Sequence, residues 1–356
     1  MRELESVDDV LAYLEHHGTL ERAYVQDVDL SPVKDRLLDA DVRHAIFLGC
    51  TADDDLARHL ADNGALIFPR LPDLPFDPYK AGLYTATQLY AGLDDGYPRT
   101  PDSRIYRWWL RIGRHRDLAS ELAMTLHDHA ISDALDDLVS CAVGVMGGHQ
   151  TPRGSDDYAD AARLGRRLAA EGHTVLTGGG PGAMEAVNLG AALRGSDADL
   201  DAALDDLAAH PDFTADTDAW ARAAFDVRAR YDLGGPSVGV PTWFYGHEPA
   251  NPFPGGIAKY FSNAIREDIL LRTSSAGLVC LPGAAGTVQE IFQSLTPRYY
   301  ADRDPIPPLI LVGADYWTRA IPAWPLVEAL ANGRPMEGCV HLCDSIDDVP
   351  SLLATA

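Results

Sequence analysis

Short apolar runs alternate with helix-length segments along most of this chain. His44-Ala-Ile-Phe-Leu-Gly49 and Ala65-Leu-Ile-Phe68 read as buried strands. Between them, Thr51 caps a predicted helix over Ala52–Asn63 with an acidic first turn. The three together predict a small βαβ unit. Residues 1–40 read as one or two short helices with a polar connection. Pro69, Pro72, Pro75 and Pro78 impose a loop, and a long helical region follows from Ser103 to Leu138, broken near Gly113. From Ser140 onward, apolar runs at 141–146, 173–177, 237–241, 278–281, 308–312 and 339–342 predict strands. Segments 158–171, 182–193, 257–272, 286–296 and 316–331 predict helices. This alternation specifies a Rossmann-like α/β fold, a parallel sheet flanked by helices through right-handed crossovers. Residues 195–232, rich in Asp and Ala, interrupt it and read as a helical insertion on the surface. No internal repeat recurs at a fixed period. The expected division is a smaller N-terminal α/β accessory domain, 1–135, and a larger domain, 136–356.

Composition sharpens this picture. A length of 356 residues suits two domains, and 46% hydrophobic residues supply a full core. The net charge of -24 argues against nucleic-acid and anionic-membrane partners, because such a chain repels both at long range. No stretch approaches the ~18 apolar residues of a membrane span. Five cysteines at irregular spacing, Cys50, Cys141, Cys280, Cys339 and Cys343, argue for a reducing compartment. With no apolar leader after Met1, the expectation is a cytoplasmic protein. Only three of the 29 basic residues are lysines. A phosphate ligand would therefore have to be held by local devices: helix N-termini, backbone N–H groups and a few placed cations.

Two segments have that character. In Val175-Leu-Thr-Gly-Gly-Gly-Pro-Gly-Ala-Met-Glu185, a strand runs into Gly178, Gly179, Gly180 and Gly182, and a helix opens at once. Glycines let the backbone turn and let an anion approach, while the helix start and its dipole supply donors. The same stretch also reads as a tight strand–helix turn with no ligand. In Leu278-Val-Cys-Leu-Pro-Gly-Ala-Ala-Gly-Thr-Val-Gln-Glu290, another strand enters a small-residue loop. Pro282, Gly283, Ala284, Ala285, Gly286 and Thr287 would form a nest of N–H groups, with a helix opening at Thr287. Glu290 lies one turn further on. It reads equally as a carboxylate facing a ligand and as the second half of a Thr-x-x-Glu capping box.

Gly147, Gly148 and His149 end the first strand of the larger domain. They fall on the edge where open α/β sheets bind ligands, although His149 also reads as an ordinary loop histidine. On the predicted helix 257–272, Ile257, Phe261 and Ile265 form an apolar stripe, and Lys259, Asn263 and Arg266 a polar one. For Lys259, a surface position paired with acids is the preferred reading. His127-Asp-His129 is no metal pair, because i and i+2 point to different faces of a helix. Gly246-His-Glu-Pro-Ala-Asn251 is a polar loop that could shape a base pocket.

Thr177–Ala186 together with Pro282–Glu290 resembles the paired signature of the LOG ("lonely guy") phosphoribohydrolases, whose second motif is PGGxGTxxE. Gly147-Gly-His149, Glu248-Pro-Ala-Asn-Pro252 and Pro308-Leu-Ile-Leu311 extend the likeness over about residues 136–356. The resemblance implies hydrolysis of the N-glycosidic bond of a nucleoside 5′-monophosphate of the AMP, GMP, CMP, UMP or IMP type, giving free base and ribose 5-phosphate. It implies a nucleotide-binding catalytic domain with no cofactor and no metal, assembled as a homodimer or dimer-based oligomer. It carries the catalytic roles onto Glu290 and Arg266, with Arg272 as the alternative arginine. The ligand-binding residues are then Gly147, Gly148, His149, Gly178, Gly179, Gly180, Gly182, Met184, Glu185 and the loop from Pro282 to Thr287. Ala284 departs from the pattern, standing where the family has its second glycine.

The chemistry agrees with these roles. Ribosyl–base cleavage passes through an oxocarbenium-like state and needs a phosphate anchor, a carboxylate near C1′ and help for the departing base. The competing reading is a non-catalytic nucleotide sensor with the same fold, which Ala284 favours. A dinucleotide oxidoreductase fits poorly, since no acidic residue closes a βαβ unit about 20 residues after the glycines.

Overall fold

A computed structural model describes residues 3–71, 73–113, 117–244, 248–302 and 305–354. The chain divides into two compact units: Met1–Gly82 with Ile112–Ala134, and Leu83–Arg111 with Leu135–Ala356. The expected boundary near residue 135 therefore needs correction, because 83–111 packs with the larger unit. Tyr84 exchanges backbone hydrogen bonds with Ile257 at 3.0 and 2.8 Å. Asp102, almost fully buried, accepts from Lys259 Nζ at 2.7 Å and from the Trp243 indole at 2.8 Å.

The first unit is built on a parallel sheet of β1 (Glu3–Leu4), β2 (Tyr24–Gln26), β3 (Ile46–Leu48) and β4 (Leu66–Phe68), paired in chain order. The β3–helix–β4 portion is the expected βαβ unit, with the helix at Asp54–Asp62 capped by Asp53 rather than Thr51. The strands β1 and β2 replace part of the helical reading of residues 1–40. Each is two or three residues long, too short to carry a period-2 signal. Its core is a hydrophobic cluster including Leu4, Val25, Phe47, Leu56 and Leu60. The helical region beginning near Ser103 is two helices, Pro101–Ile112 and Leu118–Leu138.

The second unit carries the seven-stranded parallel sheet. Its strands are β5 (Val143–Met146), β6 (Val175–Thr177), β7 (Ser237–Gly239), β8 (Gly256–Ile257), β9 (Gly277–Cys280), β10 (Leu309–Val312) and β11 (Val340–Cys343). The spatial order is β11-β10-β9-β5-β6-β7-β8, with every neighbouring pair parallel. The chain winds outward from β5 through β6, β7 and β8. It then returns to the other side of β5 to lay down β9, β10 and β11. The direction reverses between β5 and β9, and open sheets of this type bind ligands in the crevice at that reversal. Six of the seven strands lie on the apolar runs read from the sequence, because strands covered by helices on both faces are continuously hydrophobic.

The interruption at 195–232 is helical, as expected: helices span Asp197–Ala208 and Thr217–Arg230. Leu200, Leu204, Leu207 and Val227 from them join the main core, so the insertion is packed on the domain rather than merely lying on its surface. The expected helix 257–272 is corrected. Residues 256–257 form β8, and the helix runs from Asn263 to Thr273, with Ser262 as its N-cap. The 316–331 segment is a short π-helical turn at Tyr316–Ala320 and a helix at Trp324–Ala331, separated around Pro322. Among the described residues, no helix is long and apolar enough to cross a membrane.

Candidate functional site

Three loops leave the C-terminal ends of adjacent strands β6, β5 and β9, and they are stitched together by their own backbones. The Gly148 N–H donates to the Pro282 carbonyl at 3.1 Å. The Gly148 carbonyl accepts from the Ala183 N–H at 3.0 Å. The loop after β5 thus lies between the two glycine-rich loops, all three on one edge of one sheet. The Tyr316 hydroxyl donates to the Gly283 carbonyl at 2.9 Å from the β10 side.

The first glycine loop is buried throughout, and its glycines answer to close packing. Gly182 has φ 73° and ψ -135°, and a Cβ there would lie 2.5 Å from the Gly148 carbonyl oxygen. At Gly178 an added Cβ would lie 2.4 Å from Arg266 Nη2 and 2.7 Å from Met184 Sδ. The loop rests on a buried polar network that sequence reading missed. Asn251 donates from its backbone N–H to the Gly179 carbonyl at 2.9 Å and from Nδ2 to the Gly180 carbonyl at 3.0 Å. Its Nδ2 also reaches Asn188 Oδ1 at 3.0 Å, which takes the Thr177 hydroxyl at 2.6 Å. Thr177 and Asn251 lie in the glycine-rich and polar-loop stretches read from the sequence, but they share no spacing with each other or with Asn188, so the sequence does not show that the three meet. In the polar loop 246–251, Gly246 and His247 lie outside the described residues.

Glu185, expected among the ligand contacts, is corrected. It is 1% exposed, and both its carboxylate oxygens are taken by Arg153, through Nε at 3.1 Å and through Nη2. Arg153 also stacks on the Trp220 ring, 4.5 Å from its centroid, and ties the insertion to the domain. Met184 packs over Gly178 and Gly180 and borders the crevice.

The second loop opens its helix earlier than expected. The helix spans Ala285–Tyr300 with Ala284 as N-cap, and no side chain caps it. Thr287 and Glu290 therefore sit inside the helix, and the Thr-x-x-Glu capping box is not formed. The first-turn N–H groups of such a helix have no intrahelical acceptor, which leaves donors and the positive end of the dipole at the crevice. Ala284, Ala285 and Gly286 are exposed, and a Cβ added at Gly286 would meet no atom within 4 Å. The Gly283 Cα faces Thr287, whose hydroxyl would lie 2.2 Å from an added Cβ. Ala284 has φ -94° and ψ -146°, outside the left-handed region that favours glycine.

Glu290 and Arg266 meet beneath these loops. Arg266 projects from the helix Asn263–Thr273 and is 6% exposed. Its Nε donates to the Val240 carbonyl at 2.7 Å and its Nη2 to the Gly178 carbonyl at 3.3 Å. Nη1 is left for Glu290 Oε1 at 3.4 Å. Glu290 is 7% exposed. Burial pushes its carboxyl up to about 7, with Arg266 opposing and the neighbouring Glu267 adding to the rise. Burial likewise pushes the Cys280 thiol up, with Glu290 reinforcing it. Arg272, the alternative arginine, is exposed and pairs with Asp136 at 3.1 Å, away from Glu290.

His149 stands at the mouth of the crevice, partly exposed, with Nδ1 3.8 Å from Glu248 Oε1. Glu248 Oε2 lies 3.6 Å from where a Cβ on Gly180 would be. Lys259 is corrected from a surface position to a buried one, 1% exposed and paired with Asp102. The apolar stripe expected of Ile257, Phe261 and Ile265 does not lie on one helix. Ile257 belongs to β8, Phe261 is buried before the helix begins, and Ile265 is 39% exposed.

Comparison with known proteins places two stretches of this unit. Residues 140–197 match the SLOG cluster4 family, and residues 223–355 match a family described as possible lysine decarboxylase, which is LOG-like. The LOG resemblance read from the two loops is thus met by both matches. No curated protein matches the chain in sequence. Among solved structures, the chain is similar to a molybdenum cofactor binding protein from Rippkaea orientalis, at 18% identity and a TM-score of 0.36, covering 60% of this chain and 96% of that one. It is also similar to the molybdenum cofactor carrier protein from Chlamydomonas reinhardtii, at 19% identity and a TM-score of 0.36, covering 60% of this chain and 99% of that one.

Proposed function

We propose that this protein hydrolyses the N-glycosidic bond of a nucleoside 5′-monophosphate, releasing free base and ribose 5-phosphate. One observation carries the reading. A carboxyl group buried at the strand-order reversal and held near pKa 7 faces an arginine beneath two glycine-rich loops. An acid–base group works best with a pKa near the ambient pH, and strongly shifted carboxyls in a cleft cluster at functional sites.

In this reading the 5′-phosphate sits on the open helix start at Ala284–Thr287, where Gly286 leaves room for it. Arg266, fixed by two backbone carbonyls, holds the ribose hydroxyls. Glu290 accepts a proton from the water that adds to C1′. The C1′–N bond breaks with its electron pair going to the base nitrogen, and the proton that Glu290 took from water is passed through solvent to that nitrogen, so the base leaves neutral and Glu290 is ionised again. The developing positive charge on the ribose is steadied by the Glu290 carboxylate as it forms. His149 and Glu248 border the side on which the base departs.

The test is incubation of the full chain with AMP, GMP, CMP, UMP and IMP separately, followed by chromatography for free base. Release of base from at least one, lost in Glu290→Gln, supports the reading. Binding of a monophosphate without any release would instead establish a nucleotide-binding protein without turnover.

A further inference from the structure

The helix carrying Arg266 presents a second buried carboxylate to the same guanidinium. Glu267 is 2% exposed, and its Oε1 lies 3.7 Å from Arg266 Nη1, the nitrogen that faces Glu290 at 3.4 Å. Its Oε1 also accepts from Asn263 Nδ2 at 2.9 Å, and its Oε2 from the Gln289 amide. Gln289 is the neighbour of Glu290 on the other helix. Residues 266–267 and 289–290 therefore form a four-cornered arrangement, with Arg266 against Glu290 and Glu267 against Gln289.

An arginine and a carboxylate left to themselves close to about 2.7–2.9 Å, commonly through two nitrogens. Here neither carboxylate closes. Two nitrogens of Arg266 are held by the Val240 and Gly178 carbonyls, and the third stands between two acids. We propose that Glu267 is a positioning residue for Glu290, sharing Arg266 Nη1 so that the guanidinium cannot close on the Glu290 carboxylate. Its consequence for catalysis rests on the hydrolase reading; its effect on Glu290 does not.

The electrostatics run the same way. Burial raises Glu290, Arg266 lowers it, and Glu267 raises it further. Facing Glu290 are Arg266 and Glu267 from one helix and Cys280 from β9, whose thiol is kept neutral by burial. Removing the Glu267 charge frees Arg266 for Glu290 and withdraws a like charge. Both changes favour the ionised carboxylate.

The experiment is a carboxyl 13C NMR titration of Glu290 in the full-length protein, without nucleotide, in wild type and Glu267→Gln. The kcat/KM pH profile is a parallel arm. The expected result is a Glu290 midpoint lower by about one unit in the variant, with the acidic limb of the profile moving with it. A shift under about 0.3 unit in a folded variant overturns the proposal. If circular dichroism shows that Glu267→Gln does not fold, Gln289→Ala replaces it. That change releases Glu267 toward Arg266 with both charges intact, and the midpoint should then rise; an unchanged midpoint overturns the proposal. A lowered midpoint in a protein that hydrolyses no monophosphate upholds the role of Glu267 and removes the hydrolase reading.

Discussion

Arg266 meets Glu290 through one guanidinium nitrogen, at 3.4 Å, while its other nitrogens are committed to the carbonyls of Val240 and Gly178. The arginine is thereby a fixed point tying β7's exit, the first glycine loop and the carboxylate together. Replacing it with alanine strands two buried acids, Glu290 and Glu267, without their cation. Breaking a buried pair this way costs about 3–5 kcal/mol. Urea unfolding of Arg266→Ala should show a loss of that size, and Arg266→Lys should recover only part, since an ammonium cannot hold the forked geometry. A loss under about 1 kcal/mol in Arg266→Ala would mean the arginine is not the anchor described.

Glu290→Gln should keep the fold and bind monophosphate nearly as well as wild type while losing turnover by about 10²-fold or more. Because the helix begins at Ala285, Glu290 caps nothing, so no helix stability is lost with the charge. Calorimetric binding and base release on the same preparation check both halves. A variant retaining more than about a tenth of the wild-type rate would remove Glu290 from the chemistry.

The raised Glu290 carboxyl also sets a pH dependence of stability. Its folded value of about 7 lies above the ordinary 4.5, so the native state holds a proton that the unfolded chain has released. That contribution is complete below about 4.5 and is lost as pH rises through 7. The shift corresponds to roughly 3–4 kcal/mol at most. Wild type should therefore lose stability relative to Glu290→Gln between pH 5 and pH 8, and paired thermal melts would reveal it. Parallel curves for the two proteins would contradict the buried, raised carboxyl.

Much of this site was legible from one sequence, for a physical reason. Strands β5, β6, β7, β9 and β10 are buried along their whole length and so fall on largely apolar runs, and the glycines after β6 and the small residues after β9 mark where those runs end. The misreadings have physical causes too. Ile257, Phe261 and Ile265 have helical spacing by coincidence, because Ile257 and Phe261 are buried ahead of the helix while Ile265 lies exposed on it. Lys259 seemed a surface lysine because its partner Asp102 lies far away in sequence. Glu185 matched a loop signature yet serves Arg153 in the core. Asn188, Asn251 and Thr177 carry no periodic signal, being placed by hydrogen bonds that only the folded backbone creates.

Gly178 separates packing from conformation. Its added Cβ would strike Arg266 Nη2 and Met184 Sδ, both side-chain atoms that can move. Gly178→Ala should therefore fold, with a cost of about 1–3 kcal/mol from overpacking, but displace Arg266 from Glu290. Turnover should fall far more than stability, roughly 10²-fold for a misplacement near 1 Å. A variant as active as wild type would mean that Arg266 has slack not apparent in its three contacts.

Gly286 and Ala284 together report whether the second loop receives a phosphate. A Cβ at Gly286 meets no protein atom within 4 Å, and the residue lies in the first turn of the helix. For the empty protein, Gly286→Ala should be neutral or slightly stabilising, by a few tenths of a kcal/mol up to about 1, because alanine is the better helix former. If the phosphate sits against that turn, the same methyl group occupies its place, and monophosphate binding should weaken by about tenfold or more, some 1.4 kcal/mol. Ala284→Gly is the control. With φ at -94°, Ala284 does not need the left-handed conformation that favours glycine, so removing its Cβ should leave affinity within about threefold of wild type. Calorimetric titration with AMP and GMP across wild type, Gly286→Ala and Ala284→Gly decides the matter. Gly286→Ala binding as tightly as wild type would move the phosphate elsewhere, to the buried loop at Gly178–Gly182. Ala284→Gly binding markedly tighter would show instead that the methyl group at 284 obstructs the ligand directly, which would restore alanine at that position as a reason to favour a sensor over an enzyme.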